Sequence, residues 1–272
     1  MWLTRKLPMP ESGVSHTRLL SLGVVLLLLV GYAVEIVLIG VAFFPGVFLC
    51  HLLWMHTTAV SSWARILWIC VAGVAAYFLY GVTLMLLVGL LRSLLRLNLQ
   101  EGAYPLLSVG AAKWAVTIAL KSPVSITFLG FLLLTPFVAS FYRLMGAKIG
   151  RDVQINSKSC ADPSLLEIGD QSVIGGHATI LGHLFEGGRL ILKRVRIGKR
   201  VVVGLNAIIL PGADVGDGAV IAAGAVVPKD TRIAPGSVYL GVPGKQQRLL
   251  RSAKPRTSPG SPPCPDTVES WR

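Results

Sequence analysis

The sequence predicts an α-helical membrane region followed by an all-β domain that is a parallel β-helix. Three observations predict it. Two long stretches almost without charge lie in the first third of the chain. In the second half an aliphatic or aromatic residue recurs at every sixth position. One gap in that repeat carries the polar residues that could do chemistry.

The two apolar stretches are long enough to span a bilayer. Residues 19–50 contain a single charged residue, Glu35, and residues 66–91 contain none, whereas about 20 apolar residues cross a ~30 Å hydrocarbon core. Basic residues precede the first stretch and follow the second: Arg5, Lys6, Arg18, Arg92 and Arg96. Because basic flanks stay cytoplasmic, we expect two transmembrane helices in the inner (plasma) membrane, with the β-helix in the cytoplasm.

Two further segments complete the predicted membrane region, residues 1–141. Residues 106–120 are mixed in polarity, and Lys113, Trp114 and the adjoining Lys121 favour a helix lying at the membrane interface. Residues 124–142 are uncharged, but Pro136 interrupts them and no charge asymmetry supports their translocation. An interfacial or re-entrant segment is favoured over a third crossing, which would place the β-helix outside.

The six-residue repeat defines the second domain, residues 142–250. A period of six excludes a helix, with its period of 3.6, and a simple hairpin, with its period of 2. Three such hexapeptides make one triangular turn, whose interior the large side chains fill. The tail, residues 251–272, is rich in Pro and Ser and is predicted to be disordered. The regular repeat runs through Ile197, Val203, Ile209, Val215, Ile221, Val227, Ile233 and Tyr239.

The repeat is interrupted twice before it becomes regular. Between Ile155 and Ile168 the step is 13 residues rather than 12, so one residue is extruded. Residues 181–196 break the pattern altogether and carry His183 and Glu186. Solenoids project their functional loops at such breaks.

Composition excludes some functions. The formal charge of +13 suits basic residues that face anionic lipid, and the same field favours phosphate-bearing cofactors. No basic stripe interleaved with aromatic residues lies in the second half, which argues against nucleic acid. The four cysteines show no CxxC spacing, so neither a zinc site nor a disulfide framework is indicated.

Residues 143–250 resemble the hexapeptide-repeat acyltransferases. The resemblance rests on IGDQSVIGGHATILGH (168–183), on VRIGKRVVVGLNAIILPGADVGDGAVIAAGAVVPKD (195–230) and on the terminal LGVPGK (240–245). It implies a left-handed coil, a homotrimer and acetyl-CoA or another acyl-CoA as the donor, without a metal.

The same resemblance implies the site residues. The family's catalytic histidine lies in a GH dipeptide, which matches His183, and its imidazole would take the proton from the acceptor. Glu186 is close enough in sequence to orient or charge-stabilise that imidazole. Pantetheine would lie along Ala222, Ala223, Gly224 and Ala225, and the nucleotide phosphates would meet Lys229, Lys245 and Arg248. The family's WIG is replaced here by Val202-Val203-Gly204, so an aromatic wall is missing.

A narrower resemblance concerns the junction of the two domains. The segments GAYPLLSVGAAKW (102–114), YRLMGAKIGRDV (142–153) and LGHLFEGGRL (181–190) look like the terminal membrane region of certain non-ribosomal peptide synthetase-like proteins. That likeness names a relative rather than an activity.

Three functions compete at this point. The favoured one is a membrane-anchored acyltransferase, of the CoA-dependent O-acetyltransferase kind, that acts on a hydroxyl or amine of a small-molecule or lipid-linked acceptor at the membrane. A zinc-dependent hydratase on the same coil would need three histidine ligands, and the coil offers His177 and His183. The third is a non-catalytic trimeric scaffold or accessory module of a peptide or polysaccharide biosynthetic complex.

Overall fold

The computed structural model describes residues 14–58, 61–242 and 244–248. Helices form the first half of this part of the chain, and short strands form the second. Arg5 and Lys6, and the predicted disordered tail at 251–272, lie outside the described residues. The first elements are α1 (Val14–His56), α2 (Ser62–Leu94), β1 (Gly102–Pro105), α3 (Val109–Thr127) and α4 (Pro136–Leu144).

Helices α1 and α2 contain the apolar stretches. Within the described residues, Gly31–His56 and Ser62–Leu94 are long and apolar enough to cross a membrane, by length and composition. Glycines allow close packing of α1 on α2 at Gly46, and of α2 on the Phe128 ring at Gly81. A Cβ on Gly46 would lie 2.8 Å from the Ala76 carbonyl oxygen, and one on Gly81 would lie 2.2 Å from the Phe128 ring.

The segment 124–142 is not one continuous helix. Helix α3 ends at Thr127, a 3-10 turn covers Leu129–Leu132, and α4 begins at Pro136. The Tyr77 hydroxyl on α2 donates a hydrogen bond to the Thr127 carbonyl oxygen, which ties the end of α3 to α2. A single helix spanning the membrane therefore does not form here.

Helix α4 closes the first end of the coil. The Leu134 N–H, just before α4, donates to the Ile155 carbonyl oxygen at 3.1 Å. Val138, Phe141 and Tyr142 are fully buried in a core that continues into the coil. The boundary predicted between residues 141 and 142 therefore falls inside α4, which both regions share.

The coil consists of very short strands in three parallel faces. The strands are β2 (Lys148–Ile149), β3 (Gln154–Ile155), β4 (Leu166–Ile168), β5 (Val173–Ile174), β6 (Thr179–Ile180), β7 (His183–Glu186), β8 (Arg189–Leu192), β9 (Val195–Ile197), β10 (Val202–Val203), β11 (Ile208–Ile209), β12 (Asp214–Val215), β13 (Val220–Ile221), β14 (Val226–Val227), β15 (Arg232–Ile233), β16 (Ser237–Gly241) and β17 (Gly244–Arg248). Face 1 contains β2, β4, β9, β12 and β15, face 2 contains β3, β5, β10, β13 and β16, and face 3 contains β6, β11 and β14.

The predicted ladder of every sixth residue lines the interior, and the parallel coil is confirmed. On face 1 Ile197 pairs with Val215, and Val215 pairs with Ile233. All eight residues of the regular repeat are at most 5% exposed. Burial of these side chains, at about 1.5–3 kcal/mol each, is the main force that holds the stacked turns together.

The gap in the repeat is a β-hairpin. Strands β7 and β8 pair antiparallel, and β1 adds to the other edge of β8, so that His183 lies opposite Leu192 and Ala103 opposite Ile191. The turn is Gly187-Gly188, with φ of +57° and +71°. Glycine reaches these angles without steric cost, and two residues with positive φ suit a tight hairpin turn. The helical region thus contributes a strand beside the predicted functional loop.

The last strand closes the other end of the coil. Strands β16 and β17 pair antiparallel with Gly241 opposite Gly244, within the predicted GVPGK segment. Strand β17 extends face 2 by one antiparallel strand.

Candidate active site

A histidine–aspartate pair lies where the hairpin leaves the coil. His183 Nδ1 is 2.7 Å from Asp162 Oδ2, and the carboxylate is completely buried whereas the imidazole is 20% exposed. An ionised carboxylate only accepts hydrogen bonds, so Nδ1 carries the proton toward Asp162. Nε2 is then the ring nitrogen with a free lone pair, and no described residue is hydrogen-bonded to it. This arrangement is suited to a general base.

Asp162 is held in place by two further N–H donors. The Gly182 amide donates to Oδ2 at 2.9 Å, and the Trp114 indole Nε1 donates to Oδ1 at 2.8 Å. Buried charge is tolerated in proteins when it is hydrogen-bonded in this way. The carboxylate therefore binds the hairpin, through Gly182 and His183, and helix α3, through Trp114.

The extruded residue of the first turn explains how Asp162 reaches this position. The third interior residue of that turn is Cys160, which pairs with Ile180, rather than residue 161 as a strict six-residue step requires. The next step, from Cys160 to Ile168, is eight positions instead of six and includes the short 3-10 helix Pro163–Leu165. The extra length forms a bulge at the corner of the coil, and Asp162 lies at its start.

Aromatic rings border the imidazole. The Trp114 ring centroid lies 4.9 Å from that of His183, and the Phe185 centroid lies 5.5 Å from that of Trp114. Phe185 is 55% exposed. The imidazole therefore lies beside an indole from α3 and a phenyl ring from β7, and such aromatic neighbours favour a flat or apolar group next to it.

Buried ionisable groups lie beside the bulge. The Lys121 ammonium on α3 donates to the Cys160 carbonyl oxygen at 2.6 Å and is almost fully buried. Burial lowers the pKa of Lys121, while Cys160 and the Asp162 carboxylate act in the opposite direction. Burial raises the pKa of the Cys160 thiol to about 11 and that of Tyr142 well above its usual value, so both stay neutral near pH 7.

Glu186 occupies a different place from the one expected. It does not orient the imidazole: its carboxylate pairs with the Lys229 ammonium, with Nζ 2.5 Å from Oε2, and Asp162 holds His183. The reason is the strand geometry, because successive residues of β7 point to opposite faces. The pair ties the tip of the hairpin to the coil, and it neutralises Lys229, one of the expected phosphate ligands.

The expected donor residues form one corner of the coil. Residues 222–225 connect face 2 to face 3, where Ala223 and Gly224 are exposed and Ala225 is buried. The turn above packs closely on this corner, since a Cβ on Gly204 would lie 2.4 Å from the Ala223 nitrogen, so that position 204 requires glycine. Lys245 is exposed on β17, and Arg248 ends that strand opposite Ser237. The structure does not bring this corner into contact with His183.

Outward-facing residues give the faces different character. Face 2 presents a stripe of valines: Val173, Val202, Val220 and Val238. Face 1 presents charges of alternating sign, Lys148, Glu167, Arg196, Asp214 and Arg232. The first four line an open groove of about 700 Å³. Glu167 is central to this ladder. It pairs with Lys148 at 2.8 Å and with Arg194 at 2.5 Å, and these hydrogen bonds lower its pKa although partial burial acts to raise it.

The described residues contain no group of three or more His, Cys, Asp or Glu that could hold a metal ion. His177 is exposed at a corner of face 2, with φ of +55°.

The sequence patterns did not single out Asp162, Trp114 or Lys121 as site residues. The feature that could have indicated Asp162 is the 13-residue step from Ile155 to Ile168, because its extra residue leaves the coil near this acidic side chain. Trp114 and Lys121 were assigned to the membrane interface, but their polar ends point toward the coil. The three segments of the narrower resemblance do converge here: 102–114 supplies β1 and Trp114, 142–153 supplies Tyr142, and 181–190 supplies His183.

Comparison with known proteins supports the repeat. Residues 194–229 match the family model described as the hexapeptide repeat of succinyl-transferase. No curated protein matches the chain.

Solved structures show partial similarity. A maltose O-acetyltransferase from Clostridium difficile 630 is 19% identical over 56% of this chain and 94% of its own, with a TM-score of 0.42. A hexapeptide-repeat acetyltransferase from Vibrio cholerae O1 biovar eltor, complexed with acetyl coenzyme A, is 18% identical over 58% and 98%, with a TM-score of 0.44. A galactoside acetyltransferase in complex with coenzyme A is 22% identical over 54% and 86%, with a TM-score of 0.41. Together with the family match, the strand pairing makes residues 194–229 a hexapeptide-repeat coil.

Proposed function

We propose that this chain is a membrane-anchored, CoA-dependent acyltransferase that moves an acetyl or other acyl group onto a hydroxyl or amine of a membrane-associated acceptor. One observation carries the proposal. A partly exposed imidazole is hydrogen-bonded through Nδ1 to a fully buried carboxylate, at the point where the hexapeptide coil is interrupted. The family model that matches the coil describes an acyl-group transferase, which agrees with this chemistry.

The chemistry follows from the protonation state of His183. Nε2 takes the proton of the acceptor hydroxyl or amine as its oxygen or nitrogen attacks the thioester carbonyl of acyl-CoA. The Asp162 carboxylate stabilises the imidazolium formed in that step and keeps the ring in the correct tautomer. The C–S bond then breaks, and the imidazolium returns its proton to the departing thiolate, which leaves as free CoA.

The donor would lie along the corner at residues 222–225. Exposed, small residues there let an extended chain approach the backbone closely. The valine stripe of face 2, which passes beside this corner at Val220, supports packing of a second copy and hence the homotrimer. Lys245 would meet the phosphates directly, whereas Lys229 would first have to part from Glu186.

The length of one connection supports an acceptor at the membrane surface. Helix α2 ends at Leu94, and Leu99 packs in a cluster with Leu192, the cross-strand partner of His183. Five residues extend over at most about 17 Å. If α1 and α2 span the membrane, His183 is held near the headgroups at the basic, cytoplasmic end of α2, where Arg92 and Arg96 lie. A lipid-linked hydroxyl or amine can reach that position.

The test is acyl transfer by the full-length protein in lipid nanodiscs, supplied with radiolabelled acetyl-CoA and a total lipid extract. We expect labelled, lipid-extractable product from wild type. His183→Ala should reduce the rate at least about 100-fold, the usual contribution of a general base, without changing the melting temperature. His177→Asn is the matched control, because the ring is exposed and Asn tolerates a positive φ. Absence of transfer and of CoA binding by wild type would favour the scaffold instead.

A further inference from the structure

We propose that helix α3 of the helical region is part of the catalytic apparatus, with Trp114 and Lys121 acting as positioning residues for the Asp162–His183 pair. The proposal rests on the proposed function, because it assigns to α3 the task of fixing the base. Neither the indole N–H of Trp114 nor the ammonium of Lys121 would touch substrate. Each acts on Asp162 or on the backbone next to it.

The geometry places both residues on one face of α3. They are seven residues apart, which is two helical turns, so their side chains point in the same direction. Trp114 Nε1 donates to Asp162 Oδ1 at 2.8 Å, and Lys121 Nζ donates to the Cys160 carbonyl oxygen at 2.6 Å. Thr117, between them on the same face, is fully buried. Helix α3 is therefore hydrogen-bonded to the bulge at both ends of the tripeptide 160–162.

The charges around the pair give Lys121 a second effect. The neighbouring ionisable groups are Lys121 on α3, Cys160 in the coil and Tyr142 on α4, and the last two are neutral near pH 7. On the hairpin Glu186 pairs with Lys229, and beside it Lys193 pairs with Asp230 at 2.5 Å. The Lys121 ammonium thus offsets part of the negative potential that Asp162 exerts on the imidazole.

This offset predicts opposite effects for two substitutions. Lys121→Met leaves the carboxylate without its cationic neighbour, so the imidazolium of His183 becomes more stable and the pKa of His183 rises. Asp162→Asn removes the carboxylate, so the imidazolium becomes less stable and the pKa of His183 falls. A residue with only a structural role would lower the rate without moving the pKa in a defined direction.

The experiment measures kcat/KM against pH for the full-length protein in nanodiscs. The acidic limb reports the protonation of the base. We expect it to move upward by roughly 0.5–1 pH unit in Lys121→Met, to move downward in Asp162→Asn, and to stay in place in Lys121→Arg. The control is Lys113→Met on the same helix, because Lys113 is exposed. Trp114→Phe keeps the ring but loses the N–H, and should lower kcat about tenfold with KM unchanged.

A parallel titration of His183 by NMR separates two kinds of failure. If wild type transfers no acyl group but the His183 pKa shifts as stated, the proposed function fails and the coupling through α3 stands. If wild type is active and neither the acidic limb nor the NMR titration moves in Lys121→Met, the inference about Lys121 is wrong. If the melting temperature of Trp114→Phe falls together with its kcat, the role of Trp114 is structural only.

Discussion

The regular turns of the coil, residues 197–239, and the interrupted turns before them, residues 149–196, are built on the same interior columns but differ in what their corners do. In the regular turns, interior partners are 18 residues apart, as for Val215 and Ile233. In the interrupted turns, Ile168 and Ile197 are 29 residues apart, and the eleven extra residues form the hairpin. The polar groups of the candidate site lie at the two irregularities of these turns: Asp162 in the bulge after Cys160, and His183 at the start of the hairpin.

The difference shows how a solenoid gains a site without losing its core. The corner of a regular hexapeptide is too short for the backbone to leave the coil and return, and its residues are needed for the turn itself. A bulge or hairpin inserted between two strands leaves the interior pairing of Ile180 with Ile209 intact. Helix α3 then packs against the irregular turns, where it meets both Cys160 and Asp162.

The largest expected effect is at Asp162. Asp162→Asn should reduce acyl transfer by about 10²–10³-fold. The imidazolium loses its negative partner, and an NH₂ donor replaces one of the two acceptor oxygens, so the tautomer with a proton on Nδ1 is no longer fixed. The matched control from the regular turns is Asp217→Asn. Asp217 also caps a backbone amide, that of Lys199 at 2.8 Å, but it is exposed and distant in sequence from the site. Equal losses in the two variants would erase the distinction between the regular and interrupted turns.

The second effect compares two positions of one interior column. Ile209→Ala should lower the free energy of unfolding by about 2–5 kcal/mol, since it leaves a cavity in a regular turn. Cys160→Ala removes one sulfur atom and should cost only about 1 kcal/mol. The rate of acyl transfer per folded molecule should fall in Cys160→Ala but not in Ile209→Ala, because Cys160 precedes Asp162 by only two residues. Chemical denaturation and rate measurements on the same samples check both; an active Cys160→Ala variant would count against the bulge as a rigid support.

The third effect compares two glycine turns. Gly188 in the hairpin and Gly218 in a regular corner have φ of +71° and +66°, and a Cβ on either meets nothing within 4 Å. Alanine at each should therefore cost about 1 kcal/mol, from the left-handed backbone alone. Melting curves should show similar losses. Only Gly188→Ala should also lower the transfer rate, and a loss of rate in Gly218→Ala of the same size would contradict this.

The smallest effect is the pH dependence of Glu167 on face 1. Hydrogen bonds from Lys148 and Arg194 lower its pKa in the folded protein, so it stabilises the fold at pH values above about 4.3, its pKa in the unfolded chain. That contribution is lost as the pH falls through the lower, folded-state pKa. The stability difference between wild type and Glu167→Gln should be constant from pH 5 to 8 and shrink below pH 4. A difference that grows on acidification would contradict the assignment.

Much of the fold could be predicted from the sequence because periodicity is a local signal. The eight-residue ladder, the start of the coil near Ile149 and the loop at 181–196 all follow from spacing. His183 was predicted from its position at the break. The partner of His183 could not be predicted, because Asp162 and His183 are 21 residues apart and meet only when two successive turns stack. Proximity in sequence favours Glu186 as the partner of His183, but the alternation of side chains along β7 directs Glu186 toward Lys229.

The role of α3 was hidden for a related reason. Apolar helices next to Trp and Lys have the composition of a membrane interface, and composition does not reveal which side chains have a buried polar partner. The buried partners of Lys121 and Trp114 lie 39 and 48 residues later in the chain, at Cys160 and Asp162. The sequence could indicate that the helix is amphipathic, but not that the coil would cover its polar face.

The most direct test of the central claim, that the Asp162 bulge sets His183 up as a base, is the tautomeric state of that imidazole. Nitrogen-15 NMR of histidine-labelled protein in nanodiscs, assigned with His183→Gln, distinguishes protonation at Nδ1 from protonation at Nε2. Above the pKa of His183 we predict a proton on Nδ1 and a bare Nε2, and loss of this preference in Asp162→Asn. A proton on Nε2 in wild type would contradict the account, since that nitrogen could not then accept a proton from an acceptor.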